Sequence, residues 1–433
     1  MKEISEMPTK KIGLIGIGTV GRAFLKEFKR NKSFVKKELN LDLEIVKVCD
    51  INPKLKNFSQ ELGFSFTTKP GEIINDPQID ILIELIGGIN PAKKFIISAL
   101  KKGKDIITAN KALLSSGGRE IFQLAHRLKR TIKFEASVAS AIPLIKSISE
   151  VLKFARIKSI YAILNGTTNF ILTEMQKHRV NLFEALEKAK KKGIAERNSS
   201  LDIKGIDSLH KISILCFLCF GKFPKLEEVL TEGIERISLQ DINYAEELGF
   251  RIKLLAIAKK VKKEIEVRVH PALVPQNHPL AETNGVYNSI FINTEVGSNF
   301  LFSGLGAGGK PTALAVFTDL LSLVREGSNF LIPERNSKIN FRKREQLYSR
   351  YYLKFLAKDK PGVLAKISKI LADLGISIAS VTQKETATLK SKFVPIVMLT
   401  HKAKEKDLNK AKEKIDRLPI IKPPTQLIRI EEL

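Results

Sequence analysis

The segment KIGLIGIGTVG, residues 11–21, constrains this chain more than any other. A short apolar run ending at Gly16 passes through Gly18 and Gly21 into a pattern with Val20, Phe24, Leu25 and Phe28 at helical spacing. That pattern predicts a strand, a tight turn and a helix from about Val20 to Arg30. The first two glycines let the backbone turn tightly against a pyrophosphate, and the third lets the helix pack on the strand. The helix N-terminus adds N–H donors and positive potential. A lone GxGxxG is weak evidence, but here it follows a strand and opens a helix, the context the pattern requires. Gly16, Gly18, Thr19, Val20 and Gly21 are therefore expected at a dinucleotide.

A second strand, LEIVKVCD, ends on Asp50, where a carboxylate accepts hydrogen bonds from an adenosine ribose. Asp50 lies 29 residues beyond Gly21, against a usual spacing of about 20, and the polar insertion NKSFVKKELN accounts for the excess. Asp50 favours NAD, whereas Lys54 and Lys56 suit the 2′-phosphate of NADP, so both cofactors stay open. DILIELIGG, PAKKFIISALKKG and KDIITAN continue the alternation of strand and helix, which predicts α/β architecture with a parallel, doubly wound, Rossmann-like sheet.

After about residue 150 the pattern changes. RIKSIYAILN, EIEVRVHPALVP and VYNSIFINTEV alternate as strands with one solvated or interfacial face, and NLFEALEKAKKKG and IDSLHKISILCFLCF read as helices, so this region is α+β. GLGAGGKPTALAVFTDLLSLV, 304–324, is again a Gly-rich turn and helix. Residues 333–349 read as a polar linker, and 350–433 give the order βαββαβ of a small ferredoxin-like fold.

A length of 433 residues suits two to four domains. The longest apolar stretches fall well short of the roughly 20 residues of a membrane span, and the first 18 residues lack a small-residue cleavage site. Cytoplasmic location is the expectation, with no membrane partner. Three cysteines cannot make a disulfide framework, and Cys216 and Cys219, although spaced CxxC, lie in an apolar helical run as buried thiols would. The net charge of +27 suggests a polyanion, but clusters such as KAKKKG and FRKR are scattered and no aromatic-interleaved stripe appears, so no nucleic acid is expected.

A set of segments is more specific than any of these. ELIGG (84–88), TANKALL (108–114), EASVASAIPLI (135–145), LNGTTNFIL (164–172), GIAE and SLDIKGIDSLHK (193–211) and GAGGKPTALAV (306–316) resemble homoserine dehydrogenase, in that order. The tail, YYLKFLAKDKPGVLAKISKILADLGISIASVTQKE, resembles the ACT regulatory domain attached to many bacterial members. The resemblance covers essentially the whole chain. It implies reduction of L-aspartate 4-semialdehyde to L-homoserine with NADH or NADPH, on the route from aspartate to threonine, methionine and isoleucine, by a homodimer or homotetramer. It also implies three regions: 1–145 with 306–332 binding the nucleotide, 146–305 for catalysis and dimerisation, and 350–433 for regulation.

Residue by residue, the resemblance makes Lys211 and Lys111 the proton-transfer pair, Lys211 the donor. Hydride transfer to an aldehyde leaves an oxyanion that needs a proton and a positive group, and two ammonium groups brought close would depress each other's pKa toward the working range. Glu196 and Asp207 are implied to grip the ammonium and hydroxyl end of the substrate, with Asp202 in support. Asp207 and Lys211 are also one helical turn apart, as an ordinary salt bridge would be. Thr108, Asn110, Lys111, Gly306 and Gly308 are implied at the cofactor. Glu135, Val138, Ser140 and Ile142 match a monovalent cation site, usually sodium, built mostly from main-chain carbonyls. Asp359, Gly362 and Val363 flank the expected threonine site. The chain departs from the family at Ser140-Ala141, where Gly-Gly is common, and at Asn198-Ser199, where an acidic-Pro pair is common, so these departures bear on the cation loop and the substrate pocket.

A dehydrogenase acting on an acyl phosphate would need a nucleophilic cysteine, and neither Cys49, Cys216 nor Cys219 has a suitable loop context. A nucleic-acid-binding or amino-acid-sensing protein built on an inactive dehydrogenase fold, suggested by the charge of +27 and the tail, is the rival from outside the enzymes.

Overall fold

The computed structural model describes residues 9–196, 198–326, 339–384 and 392–433. Residues 1–8, and 327–338 with the first part of the expected linker, lie outside them. Two compact units form: Met1–Ile157 with Ser213–Leu226 and Phe302–Ser337, and Lys158–Ile212 with Glu227–Leu301 and Lys338–Leu433.

In the first unit, strands β1 (Lys10–Ile15), β2 (Leu43–Cys49), β3 (Ser65–Thr67), β4 (Ile81–Glu84), β5 (Asp105–Thr108) and β6 (Ile132–Lys133) lie in the order β3-β2-β1-β4-β5-β6. All pair in parallel, with Ile15 between Cys49 and Glu84. The strand order reverses beside β1, and in such sheets the crevice at the carboxyl ends of the strands is where a dinucleotide binds. Gly16 stands at that end.

Helix α1 runs from Thr19 to Glu38, past the expected end at Arg30, so most of the supposed insertion is helix. Val35, seven residues after Phe28, extends the same buried face, and Lys36 and Lys37 suit the carbonyl end of the helix. Helix α2 spans Ala92–Lys101 and α3 Lys111–Arg127. The helix Gly309–Glu326 closes the unit: Val316, Leu320 and Leu323 join Ile12, Leu14 and Phe24 in one core, and Phe317 lies 6.2 and 6.4 Å from Phe24 and Phe28. Residues 213–226, expected within the catalytic region, belong to this unit instead. Phe217 and Phe223 stack 4.3 Å apart, and Phe217 stacks on Phe122 at 5.2 Å, which draws the segment there.

In the second unit, β7 (Ile157–Ile163) leads into α4 (Gly166–His178), and the short α5 (Ser200–Ile203) into α6 (Ile206–Phe220), whose second half belongs to the first unit. Strands β8 (Phe250–Val261) and β9 (Glu264–Pro275) form a long antiparallel hairpin, and β7 pairs with β8. β10 (Tyr287–Thr294) and β11 (Asn299–Leu305) complete that side of the sheet. The tail is β12 (Tyr348–Lys358), α7 (Val363–Asp373), β13 (Ile378–Gln383), β14 (Phe393–Thr400), α8 (Glu405–Asp416) and β15 (Ile421–Ile430), the expected βαββαβ order. β12 starts inside the stretch expected to be linker. Leu353, Phe355, Val363, Ile367, Met398 and Leu408 build the core of the tail.

The tail sheet is not separate from the preceding one. β15 pairs in parallel with β9, Ala272 against Arg429 and Leu273 against Ile430, so one sheet runs β11-β10-β7-β8-β9-β15-β12-β14-β13. Buried charges bind this seam. Arg268 Nη2 donates to both oxygens of Glu431 at 2.8 Å, and Nη1 lies 3.2 Å from Glu266 Oε1, at ion-pair distance without hydrogen-bond alignment. Arg429 donates to Glu232 at 2.7 and 3.1 Å and to Glu405 through Nε at 3.0 Å. Burial alone would lower the pKa of Arg429, but Glu232 and Glu405 raise it, and it stays a guanidinium. Lys354 of β12 pairs with Asp241 at 2.7 Å, and Tyr352 donates to the same carboxylate.

Candidate active site

The glycine turn is as tight as its sequence requires. Gly16 has φ +105°, and a Cβ there would sit 2.6 Å from the Leu85 carbonyl carbon; a Cβ on Gly21 would meet Gly16 O at 2.1 Å. A Cβ on Gly18 would meet nothing within 4 Å, which leaves the face at the start of α1 open to a ligand. Asp50 spends one carboxylate oxygen on Ile17 N at 2.7 Å and the other on Asn52 N at 2.9 Å, so it holds the turn as well as standing at the strand end. The second Gly-rich turn meets the first: Gly308 has φ +128°, and a Cβ on Gly309 would lie 3.1 Å from Thr19 Cγ2. These features fit a dinucleotide.

At the ends of β4 and β5 the side chains serve one another. The Thr108 hydroxyl donates to Glu84 Oε2 at 2.7 Å and accepts from Asn110 N at 3.0 Å. Asn110 donates to Gly88 O at 2.6 Å and accepts from Leu113 N, capping the helix that Lys111 opens. Glu84 escaped the sequence reading. It is fully buried, its carboxyl is pushed up by that burial, and it accepts from Ile86 N at 2.9 Å. The signal was present: an acidic residue ending an otherwise apolar strand, ILIE.

Asp202, Asp207 and Lys211 come together in the second unit. Gly205, at φ +78°, lets the chain leave α5 and enter α6, and α6 then carries Asp207 and Lys211 on one face. Lys211 Nζ donates to Asp207 Oδ2 at 2.8 Å and to Leu164 O at 2.7 Å, with both charged side chains buried. Taking two charges out of water costs several kcal/mol per ion, so a pair like this is weak evidence for a stability device. Asn165, also missed from sequence, donates to Asp202 Oδ1 at 2.7 Å and to Asp207 Oδ2 at 2.9 Å. Glu196 lies in the turn after the helix Leu182–Lys191, exposed, with no hydrogen bond to this cluster among the described residues.

In the expected cation loop, the Glu135 carboxylate accepts from Ile145 N and Lys146 N, both at 2.8 Å, and its carboxyl is pushed up by burial. Asp319 accepts from Glu135 N at 2.8 Å. Ile142 O accepts from Leu144 N and Glu135 O from Val138 N, while Ala139, between Val138 and Ser140, has φ +51°. No group of three or more His, Cys, Asp or Glu among the described residues is placed to hold a metal ion, so a cation here would rest on carbonyls. In the tail, Gly362 has φ +82° and precedes Val363, the first residue of α7, with Asp359 exposed in the same turn.

Burial holds the thiols in the protonated form. Burial pushes the Cys49 thiol up to about 11 and raises Cys216 and Cys219 as well, whereas a nucleophilic cysteine needs the opposite shift. No helix among the described residues is long and apolar enough to cross a membrane.

Comparison with known proteins agrees with this geometry. Residues 16–135 match the family model for the NAD binding domain of homoserine dehydrogenase, 143–321 that for homoserine dehydrogenase itself, and 351–420 that for the ACT domain. The homoserine dehydrogenase of Neisseria gonorrhoeae is 37% identical over 437 residues, spanning 99% of this chain and 100% of its own. That of Pseudomonas aeruginosa is 36% identical over 436 residues with the same coverage. The crystal structure of a homoserine dehydrogenase from Thiobacillus denitrificans superposes with a TM-score of 0.91 at 37% identity, covering 98% of this chain and 99% of that one. A hyperthermophilic archaeal homoserine dehydrogenase mutant in complex with NADPH gives 0.63 at 27% identity, over 75% of this chain and 99% of its own. With these matches in sequence order and relatives aligned nearly end to end, the chain belongs to the homoserine dehydrogenase family, NAD(P)-binding oxidoreductases, and carries a C-terminal ACT domain.

Proposed function

We propose that this enzyme reduces the aldehyde of L-aspartate 4-semialdehyde to the alcohol of L-homoserine, with Lys211 as the proton donor. The observation that carries the reading is the buried Lys211–Asp207 pair, tied through Asn165 to Asp202. When bound, the reduced nicotinamide supplies a hydride to the aldehyde carbon. Lys211 Nζ gives a proton to the carbonyl oxygen as negative charge develops there. Asp207 and Glu196 receive the amino-acid end of the substrate, Asp202 supports them, and Lys111 is the second lysine of the proton-transfer pair.

The regions follow the same reading: 1–145 and 306–332 bind the nucleotide at Gly16, Gly18, Thr19, Val20, Gly21, Asp50, Thr108, Asn110, Gly306 and Gly308, and 146–305 serve catalysis and dimerisation. A monovalent cation steadies the loop of Glu135, Val138, Ser140 and Ile142. The tail binds L-threonine beside Asp359, Gly362 and Val363 and lowers activity as that end product accumulates. The enzyme works in the cytoplasm as a homodimer or homotetramer, in the biosynthesis of threonine, methionine and isoleucine.

The test is absorbance at 340 nm with each cofactor, with and without threonine. NADH or NADPH should be oxidised only when aspartate semialdehyde is present. A flat trace with both would remove the reading, and unchanged rates with no heat of threonine binding would remove the regulatory part.

A further inference from the structure

We propose that Asn165 is a positioning residue for this reaction: its single amide group sets the two carboxylates of Asp202 and Asp207, and through Asp207 the orientation of Lys211. The inference rests on the reading of Lys211 as proton donor.

Asn165 follows the end of β7 and caps α4. Its Oδ1 accepts from Thr168 N at 2.8 Å and from the Thr168 hydroxyl at 2.9 Å. Its two Nδ2 protons go to Asp202 Oδ1 at 2.7 Å and Asp207 Oδ2 at 2.9 Å. Turning the amide over would set its oxygen against two carboxylates and its NH₂ against a backbone N–H, so the partners fix the orientation.

Asp207 Oδ2 is thus gripped from two sides, by Asn165 Nδ2 and by Lys211 Nζ at 2.8 Å. Lys211 is held in turn by the carbonyl of Leu164, the residue before Asn165, at 2.7 Å. Two consecutive residues at one strand end therefore locate both members of the ion pair. Asp202 sits on the short α5 and Asp207 in the first turn of α6, with Gly205 between the two helices. The amide supplies each carboxylate with a donor where their like charges converge. Charge-assisted hydrogen bonds of this kind are about twice as strong as neutral ones.

The capping and positioning roles use different atoms, so they can be separated. Asn165→Asp keeps an oxygen for Thr168 and replaces both donors with a carboxylate oxygen, and aspartate caps helices about as well as asparagine. Asn165→Ser also keeps a capping oxygen, without added charge. In the full-length enzyme, kcat/KM for the semialdehyde should fall roughly 100-fold in Asn165→Asp and about tenfold in Asn165→Ser. The dissociation constant for NADPH should stay within about twofold in both. A role confined to capping would disturb folding and not this split between the two substrates.

Wild-type kcat and KM for the semialdehyde in folded Asn165→Ser would overturn the inference. So would loss of both the far-UV circular dichroism and NADPH binding in that variant, which would assign Asn165 to folding alone. Lys211→Ala run in parallel separates the layers. Undiminished turnover there removes the proton-donor reading itself, whereas its loss alongside wild-type Asn165 variants removes only the positioning role.

Discussion

Lys211 and Lys253 are both buried in the second unit, and their partners give them different physics. Lys211 faces a carboxylate. If Lys211 is the proton donor, as proposed, replacing it with alanine should lower turnover by about 10²–10⁴, measured at saturating substrate. Lys253 donates to the Thr283 carbonyl, with Asn169 and Asn284 oxygens at 3.5 Å, and burial pushes its ammonium down to about 8. Because the unfolded chain holds that proton up to about 10.4, the penalty for keeping Lys253 charged is fully present below about pH 8 and fades as pH rises from there to about 10.4. Wild type should therefore gain stability relative to Lys253→Met between those limits, by about 3 kcal/mol. Denaturant melts at pH 7 and 10 test this, and a constant difference between the two proteins would refute it. At this scale the i,i+4 spacing of Asp207 and Lys211 was enough to anticipate their pairing on one helix face. Asn165 and Glu84 lie inside recognisable motifs, but nothing local shows what they hold, because their contacts are with partners 24 to 42 residues away.

Among the elements, the seam between β9 and β15 depends on a few buried charges. Glu431→Ala would leave Arg268 buried beside Glu266 alone and should cost about 3–5 kcal/mol, read as a drop in the urea midpoint. A change below about 1 kcal/mol would mean that water or Glu266 replaces the lost partner. The same scale shows why some elements were visible and others were not. The glycine turn, the doubly wound strands and the βαββαβ tail follow from local period and turn chemistry. The extension of α1 to Glu38 looks like a polar insertion because its lysines and asparagine hide the single buried Val35. β8 is hard to see in sequence, since FRIKLLAIAKKV, buried over most of its length, has no clean alternation to announce a strand.

For the whole molecule, the net charge of +27 suggested a polyanion, yet the positive groups that matter are individual and paired: Lys211 with Asp207, Arg268 with Glu431, Arg429 with Glu232 and Glu405. The order of the regions was readable along the chain. The joining of the tail to the preceding sheet was not, because a parallel pairing between Ala272 and Arg429 leaves no signal in either segment alone. This pairing changes what truncation means. Without 350–433 the chain should be recovered mainly as aggregate, judged by size-exclusion chromatography against the full-length enzyme. A soluble, active truncated enzyme would show that the seam is dispensable. The reason is that β9 would then lose its partners at Ala272 and Leu273, while its pairings with Leu230–Thr231 and Asn340–Phe341 remain, and the N–H and C=O groups bared there are a short template on which a second truncated chain can add a strand. The tail is thus also a cover: it carries the sheet past β9 and moves the end of that sheet, among the described residues, out to β13.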